Sequence, residues 1–481
     1  MLNLRDRTLQ TNPQTTQAWL AILGLVLLLA LGFLVGAGRF LILIFPSASL
    51  AIGVFLYHRY PTFYIGFTWW MWFVGSFVRR LIDYQSGYVT PGPWNLTPML
   101  VTAISCLTLA RYLPRFLNQA GLPFFLCLGS VIYGFLVGVI QNPISDAIII
   151  PFLGWLTPIC FGFHLFVHWR DYPENRKTFE RIFVWGVLVM GVYGIYQYFV
   201  APEWDRFWLI EVENPTYGRP EPLQMRIWST VVIPQKFAAL MMAGLMLLFV
   251  NSGILRFVAA GVGYLTFLLS RIRTAWLSLL LGLLILIPSL KTRLQMRFIV
   301  SVMVAMLVIL PLSSIEPFSS VITSRLESFS NIQDDESYQE RLQGQRELLD
   351  SALAEFVGRG LGAKLESDTS DLASYDNGML VLLFSLGWFG SLPYLAGVML
   401  LFISLFRGVE NRSDAFASAS RAIAISTFFG QIAFNPVMEG EFAMPLWGFL
   451  GMSLAAQQYY TKEWGNRESI LGKTRRTRVT R

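Results

Sequence analysis

Residues 314–377 read SIEPFSSVITSRLESFSNIQDDESYQERLQGQRELLDSALAEFVGRGLGAKLESDTSDLASYDN, the one long polar run in a chain otherwise made of apolar spans. Acidic side chains cluster in it, at Glu316, Glu327, Asp334, Asp335, Glu336 and Glu340. On both sides of this run, apolar stretches of about 17 to 25 residues recur, each long enough to cross a bilayer's hydrocarbon core. With 54% hydrophobic residues over 481 and a mean hydropathy of +0.52, the chain falls outside the soluble globular range. A membrane barrel would show short alternating segments instead. The expectation is an all-α polytopic membrane protein with about 12–14 transmembrane helices. Residues 1–481 then form a single integral membrane domain, with a smaller outward loop over 201–228 and a large outward loop over 314–377 that contains an amphipathic helix.

Charge sets the orientation. If the N-terminus is cytoplasmic, the segments around Arg59, Arg111 to Arg115, Arg170 to Arg181, Arg256, Lys291 to Arg297, Arg407 to Arg421 and the tail from Lys462 share its side. They carry a large excess of Lys and Arg, and the outward segments are net acidic. Basic loops face the cytoplasm, so both termini are expected there, with the large loop outside. The tail (Lys473, Arg475, Arg476, Arg478, Arg481) then faces anionic membrane lipid. No nucleic-acid partner is expected, because nothing folded accompanies that tail. Cys106, Cys127 and Cys160 fall in apolar spans and form no disulfide framework, and His58, His164 and His168 make no zinc pattern. No metal or cofactor is expected. The tryptophans of the smaller loop, Trp204 and Trp208, suit an interfacial aromatic belt.

Four outward stretches could carry chemistry. In MRIWSTVVIPQKFAALM, Arg226 precedes an extended Ser-Thr stretch and Pro234 suits the first turn of a helix. Arg226 and Lys236 therefore flank a helix start, where they either snorkel to lipid phosphate or hold a ligand. In LLSRIRTAWLSLL, Arg271 and Arg273 enter a span at its outer end. Cations there oppose both the helix dipole and the charge rule for loops, and a bound anion removes the conflict. In SYQERLQGQRELLDSALAEFVGRGLGA, Leu342, Leu349, Leu353 and Phe356 form one helical stripe that includes Arg346. An arginine pointing at the protein body needs a partner or an anion. Arg341 lies to one side, and Gly358, Gly360 and Gly362 close the helix. In SYDNGMLVLLFSLGW, Asp376 or Asn377 caps the next span, or Asp376 is a carboxylate that accepts a proton from, or orients, a hydroxyl. The run Asp334-Asp335-Glu336 reads as solvated surface.

The stretches RIWSTVVIPQKFA, SRIRTAWLSLL, QRELLDSALAEFVGRGLG and DNGMLVLLFSLGWFG, in this order, resemble the bacterial O-antigen ligase/polymerase family, over about residues 226–390. The resemblance implies a membrane glycosyltransferase of the bacterial inner (plasma) membrane, metal-independent and inverting. It would work at the periplasmic face on a polyprenyl-diphosphate-linked glycan donor and a sugar or lipid-linked glycan acceptor, with polysaccharide-export partners possible. It puts diphosphate binding on Arg226 and Arg273, with Arg271 as the alternative and Arg341 nearby. Arg346 and Asp376 become catalytic, and Asn377 and Lys236 position the substrate. Many members have a histidine just before the last Asn; here Asp376 stands there, and no histidine is expected on the outward face. The alternative is a transporter of a small anion such as bicarbonate, which would place ionisable groups or broken helices at mid-membrane. The charges here read as lying near span ends.

Overall fold

The computed structural model describes residues 13–89, 96–116, 121–290, 292–296, 348–363, 377–406 and 414–479. Among the described residues there is no strand, only helices and one isolated bridge between Gly218 and Met225. The helices run α1 (Pro13–Leu34), α2 (Gly38–Arg59), α3 (Pro61–Ser86), α4 (Thr97–Ala103), α5 (Cys106–Phe116), α6 (Leu122–Gln141), α7 (Asp146–Val167) and α8 (Tyr172–Val200). They continue as α9 (Glu203–Val212), α10 (Pro234–Val250), α11 (Leu255–Leu269), α12 (Arg273–Leu286), α13 (Gly378–Phe406), α14 (Ala415–Gln431) and α15 (Gly440–Val479).

Among the described residues, six helices are long and apolar enough to cross a membrane, and three shorter ones, starting at Pro234, Leu255 and Arg273, are apolar as well. This is an all-α membrane protein. A tight turn at Val35-Gly36-Ala37 separates two full-length helices, α1 and α2. The apolar run from Leu96 breaks in two at Ile104–Ser105. Leu20, Leu27, Leu31 and Leu34 of α1 are exposed, as suits a helix whose outer face meets lipid rather than water.

Lipid tails are as apolar as leucine, so packing and hydrogen bonding hold such a bundle together more than exclusion of water does. The core is correspondingly aromatic: Trp69 of α3 lies 4.8 Å from Phe183 of α8, which lies 5.0 Å from Phe449 of α15. Small residues bring backbones close. A Cβ on Gly162 of α7 would sit 2.6 Å from the Trp447 carbonyl oxygen.

The stretch after residue 347 departs from expectation. Leu349, Leu353 and Phe356, the stripe expected to face the protein, are 43%, 46% and 65% exposed. Leu348 and Ala352 are buried instead, against Leu380, Leu383 and Phe384 of α13. The glycine turn that follows inserts into the bundle. Arg359 and Gly360 donate their N–H groups to the Phe384 and Ser385 carbonyls, and Leu361 donates to Gly134 of α6. Gly134 lies about 10 Å along α6 from its end at Gln141. This wedge requires glycine: Gly360 has φ +82°, and a Cβ there would lie 2.2 Å from the Gly138 nitrogen. The partner helix yields too, because α13 breaks at Gly387 (φ +59°) where Gly358 meets it.

Substituting Gly162 by Leu is expected to destabilise the protein by about 1–3 kcal/mol through overpacking. Gly24 has no neighbour within 4 Å of a Cβ position, so Gly24→Leu is expected to leave stability unchanged. Thermal unfolding of both variants in detergent measures the difference.

Candidate functional site

A buried non-helical stretch, 225–233, interrupts the helices before α10. It leaves the Gly218–Met225 bridge and runs into the bundle before α10 starts at Pro234. Ile227 and Trp228 to Val231 are buried along it. Its depth can be measured along its neighbours. Thr230 Oγ1 donates to the Phe73 carbonyl at 2.5 Å, about 20 Å below the end of α3. Ser229 Oγ donates to the Met190 carbonyl at 2.5 Å, about 15 Å below the end of α8.

A backbone that is neither helix nor sheet needs side-chain partners when it is buried, and three elements supply them. Gln197 of α8 accepts with Oε1 from the N–H groups of Trp228 (3.1 Å) and Ser229 (2.8 Å). Arg80 of α3, 1% exposed, donates to the Val231 carbonyl at 2.5 Å and to the Ser229 carbonyl. Asp205 of α9, fully buried, lies 2.7 Å from Arg80 Nε as an ion pair. Its other carboxylate oxygen accepts from Tyr193 Oη and Gln197 Nε2, each at 2.8 Å. Arg80, Asp205 and Gln197 thus form one closed network that grips the strap. The sequence reading passed over all three. An Arg-Arg pair (Arg79, Arg80) near the end of an apolar span was the available signal.

The strap is also strained. Among the described residues, the non-glycine positions with left-handed φ are Ala201, Glu213, Leu223, Ser229 and Arg271. Leu223 and Ser229 bracket Arg226. Such outliers persist where surrounding structure enforces them, often at functional sites.

The expected site residues fall as follows. Arg226 is half-buried, and its N–H donates to the Tyr217 carbonyl at 2.9 Å. Arg271, at φ +60°, turns the chain from α11 to α12, and its Nε is buried without a hydrogen bond. Arg273 is the first residue of α12. Gly194 of α8 faces both Ile227 of the strap and Thr266 near the end of α11, so Arg226 and the Arg271–Arg273 turn belong to the same end of the bundle. Asn377 is the cap of α13: its Oδ1 accepts from the N–H groups of Met379 (2.9 Å) and Leu380 (3.2 Å). Asp376, Arg346 and Arg341 lie outside the described residues.

Lys236 is not a free interfacial cation. Its Nζ lies 2.9 Å from Glu441 Oε2 on α15. Glu439 stands just before α15, its Cγ against the bare face of Gly154, about 12 Å along α7 from Asp146. Desolvation raises the Glu439 carboxyl above the usual range; Lys236 opposes the shift and Glu441 adds to it. Lys236 and Glu441 thus stand in the first turns of α10 and α15, at helix starts, while Arg80 pairs with Asp205 about 9 Å before the end of α3. The acidic turn Asn435-Pro436-Val437-Met438-Glu439-Gly440-Glu441 between two apolar helices was the missed signal.

Trp208 is likewise not an interfacial residue: it is 3% exposed and lies 5.4 Å from Trp228. Trp204 donates to Tyr193 Oη at 2.7 Å. At the opposite end of the bundle, a cavity of about 200 Å³ is lined by His164, His168, Asp171 and Glu174. It is separate from the strap. Among the described residues, no three His, Cys, Asp or Glu side chains gather as a metal site. No protein-family model, curated protein or solved structure matches the chain.

Removing one partner of a buried ion pair leaves an uncompensated charge. Asp205→Ala is therefore expected to destabilise the protein by about 3–5 kcal/mol, with Arg80→Ala of similar size. The double variant should cost less than the sum of the two. A double-mutant cycle from thermal unfolding in detergent checks this; additive losses would show that the two side chains act independently.

Proposed function

We propose that the chain is a membrane glycosyltransferase that transfers or polymerises a polyprenyl-diphosphate-linked glycan, inverting and metal-independent. One observation carries the reading: a strained, buried, non-helical strap presents Arg226 at the bundle end where the α11–α12 turn holds Arg271 and Arg273. A diphosphate leaving group demands preorganised cations in a medium of low dielectric, and guanidinium matches phosphate oxygens with paired donors. A buried Arg271 Nε with no hydrogen-bond acceptor among the described residues is a donor that a phosphate oxygen would satisfy.

In the proposed reaction, a hydroxyl oxygen of the acceptor forms a bond to the anomeric carbon of the donor from the face opposite the leaving group. The bond from that carbon to the diphosphate oxygen breaks, and its electron pair leaves with the polyprenyl diphosphate. Arg226, Arg273 and Arg271 hold that charge, with Arg341 and Arg346 adding to it from the large loop. Asp376 and Asn377 orient the acceptor, and Lys236 supports the site through its pair with Glu441. The reading includes a bacterial inner membrane, about 12–14 spans, cytoplasmic termini and a periplasmic loop over 314–377.

A second reading, transport of a small anion, draws support from the position of the Lys236–Glu441 pair. It sits beside two helices that start inside the bundle, at Pro234 and Gly440. Ionisable groups beside interrupted helices are what a transport site uses. Purified protein given a polyprenyl-diphosphate oligosaccharide should produce longer glycans, and the same protein in liposomes should show no bicarbonate flux; the reverse pair of results selects transport. Arg226→Ala and Arg273→Ala are each expected to lower glycan extension by about a hundredfold or more, with membrane insertion and elution profile intact. Normal extension by both variants would remove the diphosphate assignment.

A further inference from the structure

We propose that the cavity at the end of the bundle opposite the strap is a binding site for a small organic ammonium ion. It encloses about 200 Å³ where α7 ends and α3 and α8 begin, and His164, His168, Asp171, Glu174 and Asn175 supply most of its polar lining. Along α8, Asn175 lies about 33 Å from Gln197, which holds the strap. The proposal therefore concerns a second site and does not rest on the transferase reading. A cavity of about 150 Å³ already admits benzene, so the space here suits a ligand of that size or slightly larger.

Two features distinguish this space from a chance gap between helices. Asn175 is 4% exposed, and among the described residues nothing hydrogen-bonds its side-chain amide. An amide withdrawn from water costs free energy until a partner reaches it. The second feature is the fixed orientation of two imidazoles. His168 Nδ1 lies 2.9 Å from the His164 carbonyl oxygen, which can only accept, so Nδ1 carries the proton and Nε2 of the neutral ring keeps a lone pair. His164, 3% exposed, is held by its own Nδ1, 2.7 Å from Thr108 Oγ1, which in turn is 2.7 Å from Tyr57 Oη. Its Nε2 is left without a hydrogen bond among the described residues.

The chemistry of the lining selects the ligand. Among the described residues, neither the Asp171 nor the Glu174 carboxylate has an ion-pair or hydrogen-bond partner. Arg176, next to Asn175, is committed elsewhere, 2.9 Å from Glu180 and 3.0 Å from Asp414. The cavity is thus rich in acceptors and negative, and an anion would be repelled. A metal ion needs several ligating side chains, and among the described residues no three gather. An ammonium group offers three donors without a demanding coordination geometry, and its carbon stem has Pro61 and Ile65 to lie against. Acids at the start of α8 also favour its dipole, which accounts for Asp171 and Glu174 but not for the buried amide. The same ammonium chemistry is presented by a free amine and by the ethanolammonium headgroup of a membrane lipid.

The test uses the full chain in phosphatidylcholine nanodiscs, with 1,4-diaminobutane as the probe and binding followed by calorimetry. Saturable binding with a Kd of about 0.1–10 mM is expected. The uncharged 1,4-butanediol, of the same length, should bind at least about tenfold more weakly. Asn175→Leu keeps the side-chain volume and removes the amide, and should weaken diamine binding about tenfold or more. Glu174→Gln should do the same, and because Glu174 is exposed it serves where Asn175→Leu does not fold. Asp146→Asn, at an exposed acid that begins α7 at its far end, should leave the Kd unchanged. Adding phosphatidylethanolamine to the nanodiscs separates the sources: weaker apparent diamine binding identifies the lipid headgroup as the ligand, and unchanged binding identifies a free amine. Both results retain the ammonium assignment. No saturable binding of the diamine, equal binding of diamine and diol, or a wild-type Kd in folded Asn175→Leu or Glu174→Gln would overturn it.

Discussion

The Arg80–Asp205 ion pair is the interaction on which this end of the molecule depends. A chain segment that leaves helical geometry inside an apolar bundle exposes N–H and carbonyl groups that no solvent can satisfy. Here the Ser229 and Val231 carbonyls are answered by Arg80, and the Trp228 and Ser229 N–H groups by Gln197. A guanidinium at 1% exposure would be costly alone, and Asp205 removes that cost. Asp205 in turn accepts from Gln197 and Tyr193, so acceptor and donor strengths are tied together across α3, α8 and α9. Without the pair, the Ser229 and Val231 carbonyls would lose the guanidinium that answers them.

A second non-helical insertion solves the same problem by other means. Around Gly358 to Gly362 the partners are backbone groups: Arg359, Gly360 and Leu361 donate to carbonyls of α13 and α6. Direct backbone pairing demands close approach, which is why the residues at the contact are glycines on both sides, Gly134 and Gly138 on α6 and Gly387 on α13. One insertion therefore uses long polar side chains reaching inward, and the other uses the absence of side chains. Between them they carry chain from the non-helical segments into the body of the bundle.

Much of this was legible from residues, and the failures share a cause. The helical class, the start of α10 at Pro234, the entry of Arg273 into α12 and a cap at the Asp376–Asn377 pair all follow from local rules about spans and helix ends. The direction of the Leu349–Leu353–Phe356 stripe did not. In water an apolar stripe faces the core, but against lipid an outward stripe is equally stable, so periodicity alone leaves the facing open. Arg80–Asp205 and Lys236–Glu441 join residues far apart in the chain, and no spacing rule relates them. Trp208 was read as interfacial because Trp is frequent there; its actual partners, Tyr217 and Trp228, come from the fold.

The ordering of charge along the recess gives the transferase proposal its physical logic. Arg226, Arg271 and Arg273 sit where the strap and the α11–α12 turn meet, whereas Lys236, Glu441 and Glu439 belong to helices that begin inside the bundle. Under that proposal a diphosphate is held by the first group, while in the second Lys236 is committed to Glu441 and, among the described residues, no ion pair holds Glu439. Were Lys236 released to Glu439 instead, the acid would be stabilised as an anion and would lose basicity. The pairing of a single lysine therefore sets the countercharge in the turn before α15.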